Sequence, residues 1–154
     1  MPAQQKSKEL KTFSMQVITL DDIKRDERKM RLLQIIESAG PISEKALTHL
    51  LYLLKEEKGI DLGYNFVVIG GKPVSKEVLE DLRALLYVGL IENEPRTRKL
   101  QVTSNGLEFL EKNRLGDELT KKVLEAVEEL KPKIAPIDAE VELAVGRGGR
   151  KGRR

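Results

Sequence analysis

The chain of 154 residues has no cysteine and no tryptophan, and only three Phe, three Tyr and one histidine. Without cysteine there is no disulfide scaffold, no thiolate zinc site and no cysteine nucleophile. No apolar run approaches the roughly 18 residues that a membrane-spanning helix needs, and no apolar block follows the N-terminal charges. We therefore expect a soluble cytoplasmic protein without membrane partners, whose core is built from Leu, Ile and Val.

The residues that usually carry catalysis are also scarce. His49 has no second histidine or carboxylate cluster at metal-ligand spacing, which favours a structural or surface role. The sequence Gly70-Gly71-Lys72 has Phe66 where a phosphate-binding loop needs glycine, and Pro73 where it needs Ser or Thr. Glu80 and Asp81 are adjacent on a predicted helix, so they point in different directions and are interpreted as a solvated face. We expect no catalytic residues, no metal and no cofactor, and hence not an enzyme.

Charge is distributed unevenly along the chain. Lys and Arg number 28 and Asp and Glu 25, for a net charge of +3, yet residues 146–154 alone hold five cations and no anion. The remaining 23 cations and 25 anions give residues 1–145 a net charge of −2. Clustered arginines between glycines bind phosphates with little regard to sequence. The C-terminal segment therefore predicts a nucleic-acid partner.

The composition also bears on the source of the protein. Charged residues of both signs make up 34 % of the chain, cysteine is absent, and Asn and Gln are sparse. This pattern favours an archaeal or thermophilic cell, in which ion pairs replace thermolabile residues. An ordinary, highly charged helical protein is the alternative.

Apolar spacing and capping residues predict the order of elements in the first half of the chain. A helix is expected to begin after Thr19 and to end at Gly40-Pro41, and Ser43 is expected to cap a second helix that ends near Gly59. Residues 64–69 (YNFVVI) are rich in aromatic and β-branched side chains, which predicts a short strand. Pro73-Val74-Ser75 is then expected to open a third helix that ends at Gly89.

The second half begins with a predicted β-hairpin. Residues 90–92 and 99–103 form its strands around a Pro95-containing turn. A helix follows Thr103, and a final helix spans 117–131, after which Pro132 and Pro136 are expected to end regular structure.

This order, together with two phrases, resembles the winged helix-turn-helix family. Leu-Leu-x-x-Gly-Leu-Ile-Glu (85–92) is similar to the end of that family's third helix and first wing strand. Leu-Gln-Val-Thr-Ser-Asn-Gly-Leu-Glu-Phe-Leu (100–110) is similar to its second wing strand and following helix. The resemblance implies a mainly helical α+β fold: a flexible or extended arm (1–18), a winged-helix domain (19–114), an extra C-terminal helix and its end (115–135) and a flexible tail (136–154).

A second, narrower resemblance concerns residues 40–75. Gly-Pro-Ile-Ser, Leu-Tyr-Leu-Leu and Asp-Leu-Gly-Tyr-Asn-Phe are similar to segments of the Panacea (SocA-type) antitoxin domains and the YwgA-like proteins. The Gly-Pro-Tyr-Ser of those proteins is replaced here by Gly71-Lys72-Pro73-Val74-Ser75. This resemblance implies a module that binds another protein.

We therefore expect a nucleic-acid-binding protein, a transcriptional or chromatin-associated factor that binds double-stranded DNA. The alternatives are a protein-interaction module and an RNA- or ribosome-associated factor. The third helix is acidic for a recognition helix, since Glu77 and Asp81 lie on it. The expected contacts come from the hairpin, the third helix and the tail: Lys72, Ser75, Lys76, Arg83, Arg96, Arg98, Lys99, Arg147, Arg150, Lys151, Arg153 and Arg154.

The final predicted helix also bears on the oligomeric state of the protein. Its apolar stripe consists of Leu119, Val123, Val127 and Leu130, a pattern through which two copies of a small winged-helix protein pair. A homodimer is expected on this basis. The alternative is that the stripe packs on its own domain.

Overall fold

The described residues are mainly helical with some antiparallel strand, which confirms the predicted mainly helical α+β class, and the strands form two small sheets. A computed structural model describes the backbone of residues 18–152 and the side chains of residues 18–144. Its helices are α1 (Leu20–Arg25), α2 (Glu27–Ala39), α3 (Glu44–Glu56), α4 (Lys76–Tyr87), α5 (Ser104–Asn113) and α6 (Glu118–Gly152). Its strands are β1 (Ile42–Ser43), β2 (Val67–Ile69), β3 (Lys72–Val74), β4 (Ile91–Asn93) and β5 (Lys99–Val102). None of the described helices is long and apolar enough to cross a bilayer.

Residues 20–39 form two helices rather than the single predicted helix. The break is at Asp26, whose backbone is extended (φ −101°, ψ 100°). Its carboxylate accepts hydrogen bonds from the backbone N–H groups of Arg28 at 3.0 Å and Lys29 at 3.3 Å. Asp26 thus caps α2, and capping competes with continuation of the helix because it satisfies the same N–H groups.

The predicted hairpin after Gly89 is confirmed and belongs to a three-stranded sheet. Strand β5 lies in the middle, with β4 on one side and β1 on the other. The turn into α5 is tight: the Thr103 hydroxyl donates to the Gly89 carbonyl at 2.6 Å and accepts from the Gly106 N–H at 3.0 Å. A Cβ at Gly106 would lie 2.2 Å from the Leu90 carbonyl oxygen, so only glycine fits.

The second sheet is a hairpin that the sequence predicted only in part. The expected strand over 64–69 is confined to Val67–Ile69, and Lys72–Val74 is a strand rather than a helix start. Gly70 and Gly71 have positive φ (59° and 80°), the backbone that a two-residue hairpin turn requires. Pro73 fits in β3 because it pairs with Val68 at a position that needs no N–H from it.

Helix α6 does not end at Pro132 as predicted but continues to Gly152 through Pro132 and Pro136. The segment 136–152, expected to be a flexible tail, is therefore helical in its backbone. A proline inside a helix costs about 3 kcal/mol. Here Ile134 is buried and Asp138 accepts a hydrogen bond from the Ser43 N–H at 2.8 Å, so contacts with the domain offset that cost. The predicted N-terminal arm, except Ile18, lies outside the described residues.

The stripe on α6 is a core element, which corrects the predicted dimer interface. Val123, Val127 and Leu130 are at most 1 % exposed, and Leu119 packs against the same core. Helix α6 lies against α3 and α2. Both neighbouring pairs on α2, Leu32-Leu33 and Ile35-Ile36, are fully buried, so α2 is covered on two sides. Because α6 supplies one of these covers, Val123, Val127 and Leu130 are not available to a second copy, and Leu119 is partly buried against the same core.

Candidate nucleic-acid interface

Two arginines project from the tip of the β4–β5 hairpin. The tip is closed by backbone hydrogen bonds from Glu94 N–H to Lys99 C=O at 2.9 Å and from Arg98 N–H to Glu94 C=O at 2.7 Å. The Glu94 carboxylate accepts from the Arg96 N–H at 2.6 Å. Arg96 and Arg98 are exposed, and within residues 18–144 neither forms an ion pair. Both guanidinium groups are therefore presented to solvent on a short, hydrogen-bonded turn.

Lys99, the third predicted cation of this hairpin, is engaged elsewhere. Its ammonium group forms an ion pair with Glu142 of α6, and its side chain is 20 % exposed. The Lys99 ammonium group is therefore already paired within the fold, and its contact with nucleic acid stays a prediction. Lys99 connects the tip of the hairpin, where its C=O accepts from Glu94 N–H, to Glu142 in the C-terminal half of α6.

The contact between Lys99 and Glu142 lies close in sequence to the cationic C-terminal segment. The backbone of α6 continues from Glu142 to Gly152, and Arg147 follows Glu142 by about 8 Å along the helix axis. The hairpin with Arg96 and Arg98 and the helical segment with Arg147, Arg150 and Lys151 therefore start from the same contact. Arg153 and Arg154 lie outside the described residues.

The N-terminus of α4 is occupied by its own cap. Ser75 is 5 % exposed, and its hydroxyl accepts from the Val78 N–H at 3.3 Å and donates to the Glu77 carboxylate at 3.2 Å. Its predicted contact with nucleic acid is therefore wrong, because the hydroxyl is used inside the fold. The pKa of Glu77 lies below its usual value, chiefly because the carboxylate accepts a hydrogen bond from the Asn65 backbone N–H.

Asp81 is buried rather than solvated, which corrects the interpretation of the Glu80-Asp81 pair. Its carboxylate accepts from Arg28 Nε at 2.8 Å, from Arg28 Nη2 at 3.0 Å and from the Tyr64 hydroxyl at 2.7 Å. Lys29 Nζ lies 3.3 Å away. Burial, and then the negative charge of Asp81, raise the pKa of Tyr64. The signal in the sequence was spacing, since Asp81 falls between Val78 and Leu85 on the apolar side of α4.

Three predicted contacts, Lys72, Lys76 and Arg83, are exposed. They do not form a cationic face. Lys76 and Arg83 line one groove with Glu77, Glu80 and the apolar side chains Val67 and Ile69. The β2–β3 hairpin thus stands beside the N-terminus of α4, the end that a recognition helix inserts into the major groove.

A second groove of about 410 Å³ lies on the other side of β3. It runs between α3, β3 and α6, with Val74, Leu79 and Ile137 among its apolar lining residues. His49 is half-buried at its wall and packs edge-to-face on Tyr52, with ring centroids 6.1 Å apart. In the part of the chain that the structure describes, no three metal-ligating side chains converge.

No family model, curated protein or solved structure matches this chain.

Proposed function

We propose that this chain is a winged-helix protein that binds nucleic acid, with double-stranded DNA as the preferred polymer, and that it acts as a transcriptional or chromatin-associated factor. The observation that carries the proposal is the contact between Lys99 and Glu142. It joins a hairpin with two exposed arginines to a helix that continues into a segment of clustered cations.

The order of elements supports the winged-helix part of the proposal. Helices α2, α3 and α4 precede a hairpin, strand β1 lies between the first two of these helices, and the sheet order is β1-β5-β4. The hairpin of β4 and β5 corresponds to the wing, which contacts the sugar-phosphate backbone or the minor groove in proteins of this type.

Binding through phosphates fits the geometry better than base reading by α4. Residues 57–75, including an apolar hairpin, separate α3 from α4, whereas a helix-turn-helix joins its helices by a few residues. The Ser75 hydroxyl caps the N-terminus of α4, and the Glu77 carboxylate accepts a hydrogen bond from the Asn65 N–H. Phosphate contacts set the salt dependence of binding and base contacts set the sequence preference. We therefore expect strong salt dependence and weak sequence selectivity.

A salt titration of fluorescent duplex DNA tests the proposal, with duplex and single-stranded RNA measured beside it. Deletion of residues 146–154 should weaken binding to all duplexes alike and reduce the slope of log affinity against log salt. A truncated protein that binds one duplex tightly and others hardly at all would show that α4 reads bases. Tighter binding of RNA than of DNA would favour the RNA- or ribosome-associated alternative.

A second candidate function, binding to another protein, is favoured by one observation. Val67, Val68 and Ile69 of β2 are 62 %, 52 % and 63 % exposed, which is unusual for three consecutive apolar residues. If the full-length protein binds neither DNA nor RNA at moderate salt, the protein-interaction function replaces the first proposal.

A further inference from the structure

Strand β2 presents an unpaired backbone edge. Its partner β3 occupies one side, and within residues 18–152 no other strand pairs with β2. Proteins commonly protect such edges with charges, proline or covering elements. The edge of β2 consists of Val67, Val68 and Ile69, which carry no charge.

The register of the hairpin shows which backbone groups face outward. In an antiparallel pair, hydrogen-bonded and non-hydrogen-bonded residue pairs alternate. Val68 pairs with Pro73, and because proline has no N–H this pair is the non-hydrogen-bonded one. The N–H and C=O groups of Val68 therefore point away from β3, toward the open edge.

We propose that β2 of a second copy of this chain pairs with this edge, antiparallel and about a twofold axis through Val68. Val68 of one copy would then exchange two backbone hydrogen bonds with Val68 of the other, and Val67 would face Ile69. Each copy contributes the same three β-branched residues, so the arrangement is self-complementary, as a twofold interface requires. The result is a four-stranded sheet in the order β3-β2-β2-β3.

The side chains beside this edge favour a second copy over a strongly charged partner. The groove between β2 and α4 is lined by Lys76 and Arg83 and by Glu77 and Glu80, two charges of each sign. The groove of each copy is therefore neutral overall, so two copies that approach through this face do not repel each other. Val67 and Ile69 lie on one face of the hairpin and Val68 on the other, so pairing at the edge covers apolar surface on both faces.

Three residues of β2 per copy form a small interface. It falls below the area of about 800 Å² per partner that stable complexes bury. We therefore expect reversible association that depends on concentration. It does not depend on nucleic-acid binding, and it uses a surface distinct from the stripe on α6.

Sedimentation velocity of the full-length protein, free of nucleic acid and at high salt, measures the association over about a hundredfold range of concentration. The wild type should shift from monomer to dimer. Val68→Glu should remain monomeric, because the two carboxylates would face each other at the axis. Leu107→Glu is the matched control, since Leu107 is 47 % exposed on α5, and it should dimerise like the wild type.

Cysteine cross-linking tests the register and keeps the proposal testable if Val68→Glu fails to fold. The natural chain has no cysteine, so introduced thiols have no competitors. A mixture of Val67→Cys and Ile69→Cys proteins should oxidise to a cross-linked heterodimer faster than either protein alone, because the paired Cα atoms lie about 4.5 Å apart. A wild type that stays monomeric, a Val68→Glu variant that dimerises normally, or equal cross-linking of the single proteins would each overturn the proposal.

Discussion

The Asp81 carboxylate accepts two hydrogen bonds from the Arg28 guanidinium, at 2.8 Å and 3.0 Å, and thereby joins α4 to α2. The Asp81 side chain is 1 % exposed and that of Arg28 is 30 % exposed. Because Tyr64 and Lys29 also contact the carboxylate, its charge is compensated on several sides. A bidentate pair of this kind fixes the orientation of the two helices as well as their distance.

Removal of the Asp81 charge should destabilise the protein. Asp81→Asn leaves Arg28 without its partner, and breaking a buried pair from one side costs about 3 kcal/mol, at the lower end of the usual range because Arg28 reaches solvent. Glu80→Gln, at the exposed neighbouring position, should change the free energy of unfolding by less than about 0.5 kcal/mol. Denaturant unfolding of both variants gives the comparison. Equal stability of the two would show that the pair contributes nothing.

The raised pKa of Tyr64 predicts a loss of stability at alkaline pH. Unfolded tyrosine ionises near pH 10, whereas the folded state holds the proton on Tyr64 to higher pH. The contribution of the neutral phenol to the free energy of unfolding is therefore fully present below about pH 10. It is lost as the pH rises further, and the free energy of unfolding then falls by up to about 1.4 kcal/mol per pH unit.

Urea unfolding between neutral pH and about pH 11 measures this slope. Tyr64→Phe should lower stability at every pH but fall less steeply above pH 10, because it has no phenol to ionise. Tyr52→Phe is the control and should keep the steep fall of the wild type. Parallel curves for Tyr64→Phe and the wild type would contradict the prediction.

The two exposed arginines of the β4–β5 hairpin should contribute to the proposed DNA binding through their position as well as their charge. In the double variant Arg96→Gln, Arg98→Gln, the salt slope for duplex DNA should fall by about 2, because each lost phosphate contact removes nearly one counterion. Gln is chosen because it removes the charge and keeps a polar side chain, and its Cβ leaves the requirement of the positive φ at position 98 (58°) as it is with Arg.

A control with the same change in net charge separates position from charge. Lys24→Gln, Arg25→Gln removes two cations from α1, and the Arg25 side chain is 75 % exposed. This variant should keep the salt slope of the wild type. Equal losses in the two double variants would mean that the protein attracts DNA through its overall charge alone.

The buried stripe of α6 predicts an effect on folding rather than on oligomeric state. Leu130→Ala should cost about 3 kcal/mol of unfolding free energy, because Leu130 is 1 % exposed in the core. Leu143→Ala, on the same helix at 60 % exposure, should be close to neutral. Thermal or denaturant unfolding shows the difference. If Leu130→Ala instead keeps native stability and has a smaller sedimentation coefficient than the wild type, the dimer interface predicted from the sequence is correct after all.

The sequence alone determined the parts of the fold that depend on neighbours in the chain. Ser43, Ser75 and Thr103 each accept a hydrogen bond from the N–H three residues later, so the starts of α3, α4 and α5 follow from local spacing. The exposed arginines of the β4–β5 hairpin were also predictable, because the turn that contains Arg96 and Arg98 is defined by the strands on either side.

Tertiary structure decided the features whose partners are distant. Asp81 is buried because Arg28, 53 positions earlier, supplies a compensating charge, and Lys99 is engaged because Glu142 lies beside it. Likewise, α6 passes through Pro132 and Pro136 because Ile134 and Asp138 contact the domain, an energy that local helix propensity does not include. A local sequence pattern indicates only that a buried charge or a proline in a helix is unfavourable. The groups that compensate for these unfavourable terms are distant in the sequence, and only the folded chain brings them together.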